Sequence, residues 1–84
     1  MRLDKFLKVS RLIKRRTLAK EVADQGRITI NDTVAKASTV VSPGDTMTIK
    51  FGQKLVTVKV KDTREVVRKG EAEMLYTVLK EERI

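Results

Sequence analysis

Apolar side chains recur at a helical interval over the first nine residues. Leu3, Phe6 and Leu7 fall at i, i+3 and i+4, while Arg2, Lys5 and Lys8 lie between them on another side. That spacing predicts a short helix, apolar inward and cationic outward. Residues 10–16 (SRLIKRR) read as a connector with two apolar pegs, Leu12 and Ile13, set among cations. Thr17 is placed to N-cap a second helix, its hydroxyl free to accept an orphan backbone N–H. Leu18, Ala19, Val22 and Ala23 make the apolar stripe of that helix. Gly26 closes it, because glycine enters the left-handed position after a helix without steric penalty.

After Gly26 the period drops from 3.6 to 2. Arg27-Ile28-Thr29-Ile30 alternates, Asn31-Asp32 marks a tight turn, and Val34-Ala35-Lys36 can return as a short strand. Pro43-Gly44-Asp45 is a further turn signal. Met47, Ile49 and Phe51 alternate, Gly52-Gln53 turns the chain, and Val56, Val58 and Val60 alternate again, which predicts a hairpin. Residues 61–73 are polar and read as a loop. Met74 to Leu79 can pair as a last strand, although the leucines and the glutamates around them also permit helix. The terminal KEERI is expected to fray. The fold class is α+β, two short N-terminal helices packed on a small, mostly antiparallel sheet, in one domain over residues 1–84.

Charge changes this picture, because it is concentrated. Residues 1–20 hold eight basic side chains (Arg2, Lys5, Lys8, Arg11, Lys14, Arg15, Arg16 and Lys20) against Asp4 alone, a net of +7. The whole chain is +8, so residues 21–84 contribute only +1. A solvated helix usually interleaves glutamate with lysine at i, i+4, and here only Asp4-Lys8 does so. Charges held in a fixed array and left uncompensated point to a polyanion, and nucleic acid is the usual one. A helix-turn-helix reader would present base-reading side chains on its second helix. This second helix presents Lys20, Glu21, Asp24 and Gln25, largely acidic, so the cations suit the backbone of a shaped RNA better than base readout. Phe6 and Phe51 fall in core phases and Tyr76 is the one aromatic left for stacking, with packing its more ordinary role.

Other chemistries find no residues to carry them. The chain has no cysteine and no histidine, hence no disulfide, no thiolate metal site and no imidazole base. Its glycines, at 26, 44, 52 and 70, are too scattered to cradle a phosphate, and no nucleophile or metalloprotease motif is present. The acid pairs Glu71/Glu73 and Glu81/Glu82 sit in polar stretches expected at the surface. The expectation is a non-enzymatic protein without cofactor or metal. It has no signal-type apolar run and no membrane span, so a cytoplasmic location is expected. No large exposed apolar stripe argues for a dimer, so a monomer is expected.

The ordered set Arg2-Leu-Asp4-Lys5, Arg11, a basic pair before a Thr-capped helix, Gly26-x-Ile-x-Ile-Asn31 and Pro43-Gly-Asp45 before a strand resembles the αL RNA-binding motif. Small-subunit ribosomal protein S-four, many pseudouridine synthases and bacterial tyrosyl-tRNA synthetases share it. The likeness covers about residues 1–51, leaving the C-terminal hairpin and tail at about 52–84. R-L-D-K-F-L-K at the start, F-G-Q-K-L-V-T-V in the hairpin and L-Y-T-V-L-K-E-E near the end resemble the short stand-alone RqcP family, related to the ribosome-associated heat-shock protein. The long basic C-terminal extension of that heat-shock relative is missing. The tip Asn31-Asp32 departs from the Asn-Gly of many members, and aspartate tolerates positive φ less well than glycine.

The resemblance implies binding to rRNA and P-site peptidyl-tRNA on the obstructed large ribosomal subunit. It also implies help to RqcH, of the NFACT family, in adding a C-terminal alanine tail to stalled chains. A general rRNA-binding recycling or chaperone factor and an RNA-docking subunit of a modifying complex are the alternatives. By the same resemblance, Arg2 and Arg16 grip RNA backbone, with Lys5, Lys8, Arg11, Lys14, Arg15 and Lys20 around them. Asp4 either orients Arg2 or Arg16, or stabilises the helix N-terminus through its dipole.

Overall fold

Seven residues are too few to hold a helix in water. The first helix, α1 (Leu3–Val9), is held by what it buries and by the chain that crosses its start. The computed structural model describes residues 1–65, 67–68 and 70–84. In it Leu3, Phe6 and Leu7 are wholly buried, as their spacing predicts. The first free N–H groups of α1 donate to a segment 33 to 36 residues away in sequence: Leu3 N–H to the Thr39 carbonyl at 2.8 Å and Asp4 N–H to that of Ala37 at 3.2 Å. Val41 N–H donates back to the Met1 carbonyl at 2.8 Å, so Arg2 and Val40 form an isolated antiparallel bridge.

The second helix, α2, spans Arg16–Asp24. It begins one residue before the expected Thr17 cap. Arg15 takes the extended N-cap position with no side-chain hydrogen bond, and Thr17 is exposed within the first turn. The apolar stripe is also narrower than its periodicity suggests. Ala19 and Ala23 are buried and Val22 partly so, whereas Leu18 remains 48% exposed. The small alanines let the helix pack closely, and Leu18 stays at the surface. At the far end Gly26 has φ +73. Its N–H donates to Ala23 at 3.0 Å and that of Arg27 to Val22 at 3.3 Å, the two bonds of a Schellman cap.

The strands are β1 (Ile28–Ile30), β2 (Thr33–Val34), β3 (Thr46–Phe51), β4 (Lys54–Val60) and β5 (Tyr76–Arg83). They form one antiparallel sheet in the order β2-β1-β3-β4-β5. Register puts Met47 between Ile30 and Val58, and Ile49 between Ile28 and Val56, so one face supplies a continuous apolar layer. That layer and the apolar sides of both helices make a single core. The opposite face carries Thr29, Thr48 and Thr57, the last two with hydroxyls 3.3 Å apart. Phe51, expected inward, is only partly buried at the end of β3.

Asn31 and Asp32 both take positive φ, +51 and +67, the signature of a type I′ hairpin. Aspartate therefore fills the place that many motif members give to glycine. Asn31 does more than turn the chain: its amide oxygen accepts Thr46 N–H at 3.0 Å and its amide nitrogen donates to Asp45 at 3.1 Å. Asp45 in turn accepts Ser42 N–H at 2.9 Å, closing the Pro43-Gly44 turn. Between β4 and β5 lies a short 3-10 helix, Ala72–Met74, and the loop expected over residues 61–73 includes Val66 and Lys69, which lie outside the described residues.

The expected fraying of KEERI is wrong. β5 runs to Arg83, opposite Lys54, and Ile84 N–H donates to the Gln53 carbonyl at 2.7 Å. Register shifts by one between Thr57 and Val58, so β5 carries a bulge.

A Cβ at position 26 would meet only Val34 Cγ1, at 3.9 Å, an ordinary contact. Gly26→Ala should therefore lose stability through backbone strain alone, about 1 kcal/mol. Urea denaturation should show a lower midpoint at unchanged slope.

Candidate nucleic-acid interface

A single carboxylate organises the start of the basic segment. Asp4 sits at the second position of α1 and is only 3% exposed. Its Oδ1 accepts Lys5 N–H at 2.8 Å, filling another of the open donors of the first turn. Arg2 approaches with Nε 3.2 Å from Oδ1 and Nη2 3.4 Å from Oδ2. Arg16, arriving from the start of α2, places Nε 3.4 Å from Oδ2. The two roles open for Asp4 at the level of sequence are thus filled together. It stabilises the helix start and it orients two arginines, one from just before α1 and one from the start of α2. Burial pushes the carboxyl pKa up. The Arg16 guanidinium, the Lys5 N–H and the Arg2 charge outweigh it and hold the group below its ordinary value.

Both guanidiniums stay about half exposed, and neither uses all five of its N–H donors on Asp4. They form a rigid, doubly cationic edge facing solvent. Asp4, named among the RNA-contacting candidates, lies beneath this edge and positions it.

The other cations spread from there. Lys5 is partly buried and pairs with Glu65 at 3.5 Å. Lys8, Arg11, Lys14, Arg15 and Lys20 are exposed, and among the described residues none of them has an acidic partner. Lys8, Arg11 and Lys14 together line one cleft where α1 gives way to the connector. Glu21, Asp24 and Gln25 are exposed on α2, so the acidic character read for that helix is at the surface. Tyr76 packs partly against the core. The described residues contain no cluster of three potential metal ligands and no helix long and apolar enough to cross a membrane.

Two contributors are invisible to a reading of charge. The carbonyls of Ala37 and Thr39 fix where α1 begins, and a backbone acceptor leaves no mark in sequence. A groove lined by Leu12, Leu18, Val22 and Phe51 opens beside Lys14 and Arg15. Its signal is the surplus apolar residue in the α2 stripe.

Residues 1–47 match the S4 domain family. The chain is 68% identical over 84 residues to the RQC P-site tRNA stabilizing factor of Bacillus subtilis (strain 168), covering all of this chain and 98% of that one. It is 70% identical to the factor of the same name from Halalkalibacterium halodurans, covering all of this chain and 96% of that protein. The trimeric Heat Shock Protein 15 of Vibrio cholerae superposes with a TM-score of 0.85 at 32% identity, covering 93% of this chain and 80% of that one.

Asp4→Asn keeps the shape and removes the charge. Since the folded carboxyl titrates below the unfolded one, its stabilisation is complete above about pH 4 and fades as pH falls through the folded value. Thermal melts should find the wild type more stable at pH 7, with the two proteins converging below about pH 4. A gap that persists unchanged at low pH would mean the carboxylate charge is not the stabilising element.

Proposed function

The chain belongs to the S4 domain family, in the group of the RQC P-site tRNA stabilizing factors, and from that premise we propose that it is a non-enzymatic RNA-binding factor of ribosome-associated quality control. It binds the obstructed large ribosomal subunit through rRNA and P-site peptidyl-tRNA, and it assists RqcH in alanine tailing of the stalled chain. The observation that carries this reading is the Arg2–Asp4–Arg16 cluster, within a segment of residues 1–20 whose net charge is +7, in a chain similar over its whole length to factors named for P-site tRNA.

The work asked of such a factor is holding. An arginine fork grips a phosphate through two parallel charged hydrogen bonds and keeps its charge throughout. Free arginine side chains lose rotamer entropy on binding, roughly 0.5–1.5 kcal/mol each. Here Asp4 has already fixed both, so less is lost when RNA arrives. The two forks come from the starts of different elements, so they read the spacing of phosphates, a property of RNA shape rather than sequence.

Arg16→Ala should leave the fold intact, because Asp4 keeps Arg2 and the Lys5 N–H. It should weaken binding to large subunits by roughly ten- to a hundred-fold, the value of one charged hydrogen-bonded contact. Circular dichroism and sucrose-gradient comigration check the two halves. Deleting the gene should abolish alanine tails on products of stalling messages. Unaltered tailing with retained large-subunit binding would leave the general rRNA-binding reading in its place.

A further inference from the structure

Four apolar side chains that pattern or register turns inward are left partly open, and in one region. Leu18 belongs to the apolar stripe of α2 and stays 48% exposed. Phe51 ends an alternating strand and is only partly buried. The connector reverses at Arg11, φ +60, after which Ile13 drops into the core and Leu12 remains half covered. Val78 lies opposite the wholly buried Val58, on the helix side of the sheet, and is 46% exposed.

Leu12, Leu18, Val22 and Phe51 line one groove, with Lys14 and Arg15 at its margin. Leu12 and Phe51 also line the neighbouring cleft, which opens onto Val56, Tyr76 and Val78. The two share a floor and make one apolar surface. Arg11, Lys54 and Glu81 border its second stretch. Lys54 pairs with Glu81 at 3.3 Å, and Arg11, Lys14 and Arg15 have no acidic partner among the described residues. An apolar floor with an excess of cations at its edge suits apolar side chains flanked by carboxylates. Leu18 and Val22 stand one turn apart on α2, a ridge against which another helix can pack. A second copy of the chain fits poorly, since it would bring +8 against +8 and cations against cations. A nucleobase asks for aromatic faces or polar groups at its edges, and this floor is mainly aliphatic.

We infer that this surface docks a protein, and that its occupant is an acidic amphipathic helix of the partner, laid over Leu18 and Val22 with carboxylates toward Lys14 and Arg15. The inference stands apart from the RNA-binding reading, because Arg2, Asp4 and Arg16 line neither stretch of the groove. Arg11, Lys14 and Arg15, named among the RNA candidates, here serve the partner's carboxylates. The protein then has two working surfaces, one for a polyanion and one for a polypeptide.

Full-length protein with a benzophenone amino acid in place of Leu18, irradiated in cells and analysed by mass spectrometry, reports what lies on the groove. The expected product joins position 18 to a segment of another protein that carries apolar residues at i, i+3 and i+4 among several carboxylates. A crosslink to RNA, to a second copy of this chain or to a segment without that pattern overturns the inference, as does the absence of any crosslink. The crosslinked segment, made as a synthetic peptide, is then titrated against wild type, Leu18→Ser and Arg15→Glu. Each substitution should weaken binding about tenfold or more, the value of one apolar side chain or one charged contact withdrawn from water. Leu18→Ser should melt with the wild type, since half of the side chain is already in solvent. If it melts lower, Arg15→Glu carries the test, its side chain being exposed. Equal affinity of wild type and Arg15→Glu for the peptide overturns the assignment of an acidic partner.

Discussion

The cationic face is built on a helix that has no stability of its own, and everything about that face follows from how the helix is pinned. α1 buries three large side chains, and its opening N–H groups are taken by carbonyls from the 37–39 segment. That segment lies beyond both helices and the first hairpin in sequence. The geometry of Arg2 and Asp4 is therefore set by tertiary closure and not by local propensity. Arg16 joins them only because α2 packs beside α1 with alanines at the contact. A cluster of two cations and one carboxylate, spread over fifteen residues of chain, exists only in the folded protein.

The arrangement of elements was legible in the period of the apolar residues, because both helices and the central strands each bury one face. Leu3, Phe6 and Leu7 at a helical interval, and Met47 and Ile49 against Val56 and Val58 at an interval of two, carry enough apolar area to dictate their own placement. What escaped has a common cause. The last four residues of β5, Lys80 to Arg83, have no apolar alternation, and their strand conformation comes from hydrogen bonds to β4. The start of α2 at Arg16 has no side-chain cap to announce it. Arg11 at positive φ is hidden for a similar reason: sequence marks that conformation with glycine or asparagine, and here it does neither. For the site, the list of cations was legible from composition, but their division into a pair fixed by Asp4 and a group left unpaired was not.

The sheet deals with its exposed margins in different ways. β2 is two residues long, too short to template another strand. β5 is eight residues long and would be a hazard, but Lys80, Glu81, Glu82 and Arg83 place four charges in a row on it and the bulge opposite Thr57 and Val58 twists it. Between these margins, Asn31 ties the β1–β2 hairpin to Asp45 and hence to the Pro43-Gly44 turn.

One property of the Arg2–Asp4–Arg16 cluster reaches beyond its geometry. Arginine does not shed its proton in a folded protein, Asp4 is held ionised below the usual carboxylate range, and the chain has no histidine. Asp4 therefore keeps its charge throughout the range above the ordinary carboxylate value. A cell that acidifies under stress leaves it unchanged. Competition from other polyanions, and the ionic strength around them, are the variables to which such a surface answers.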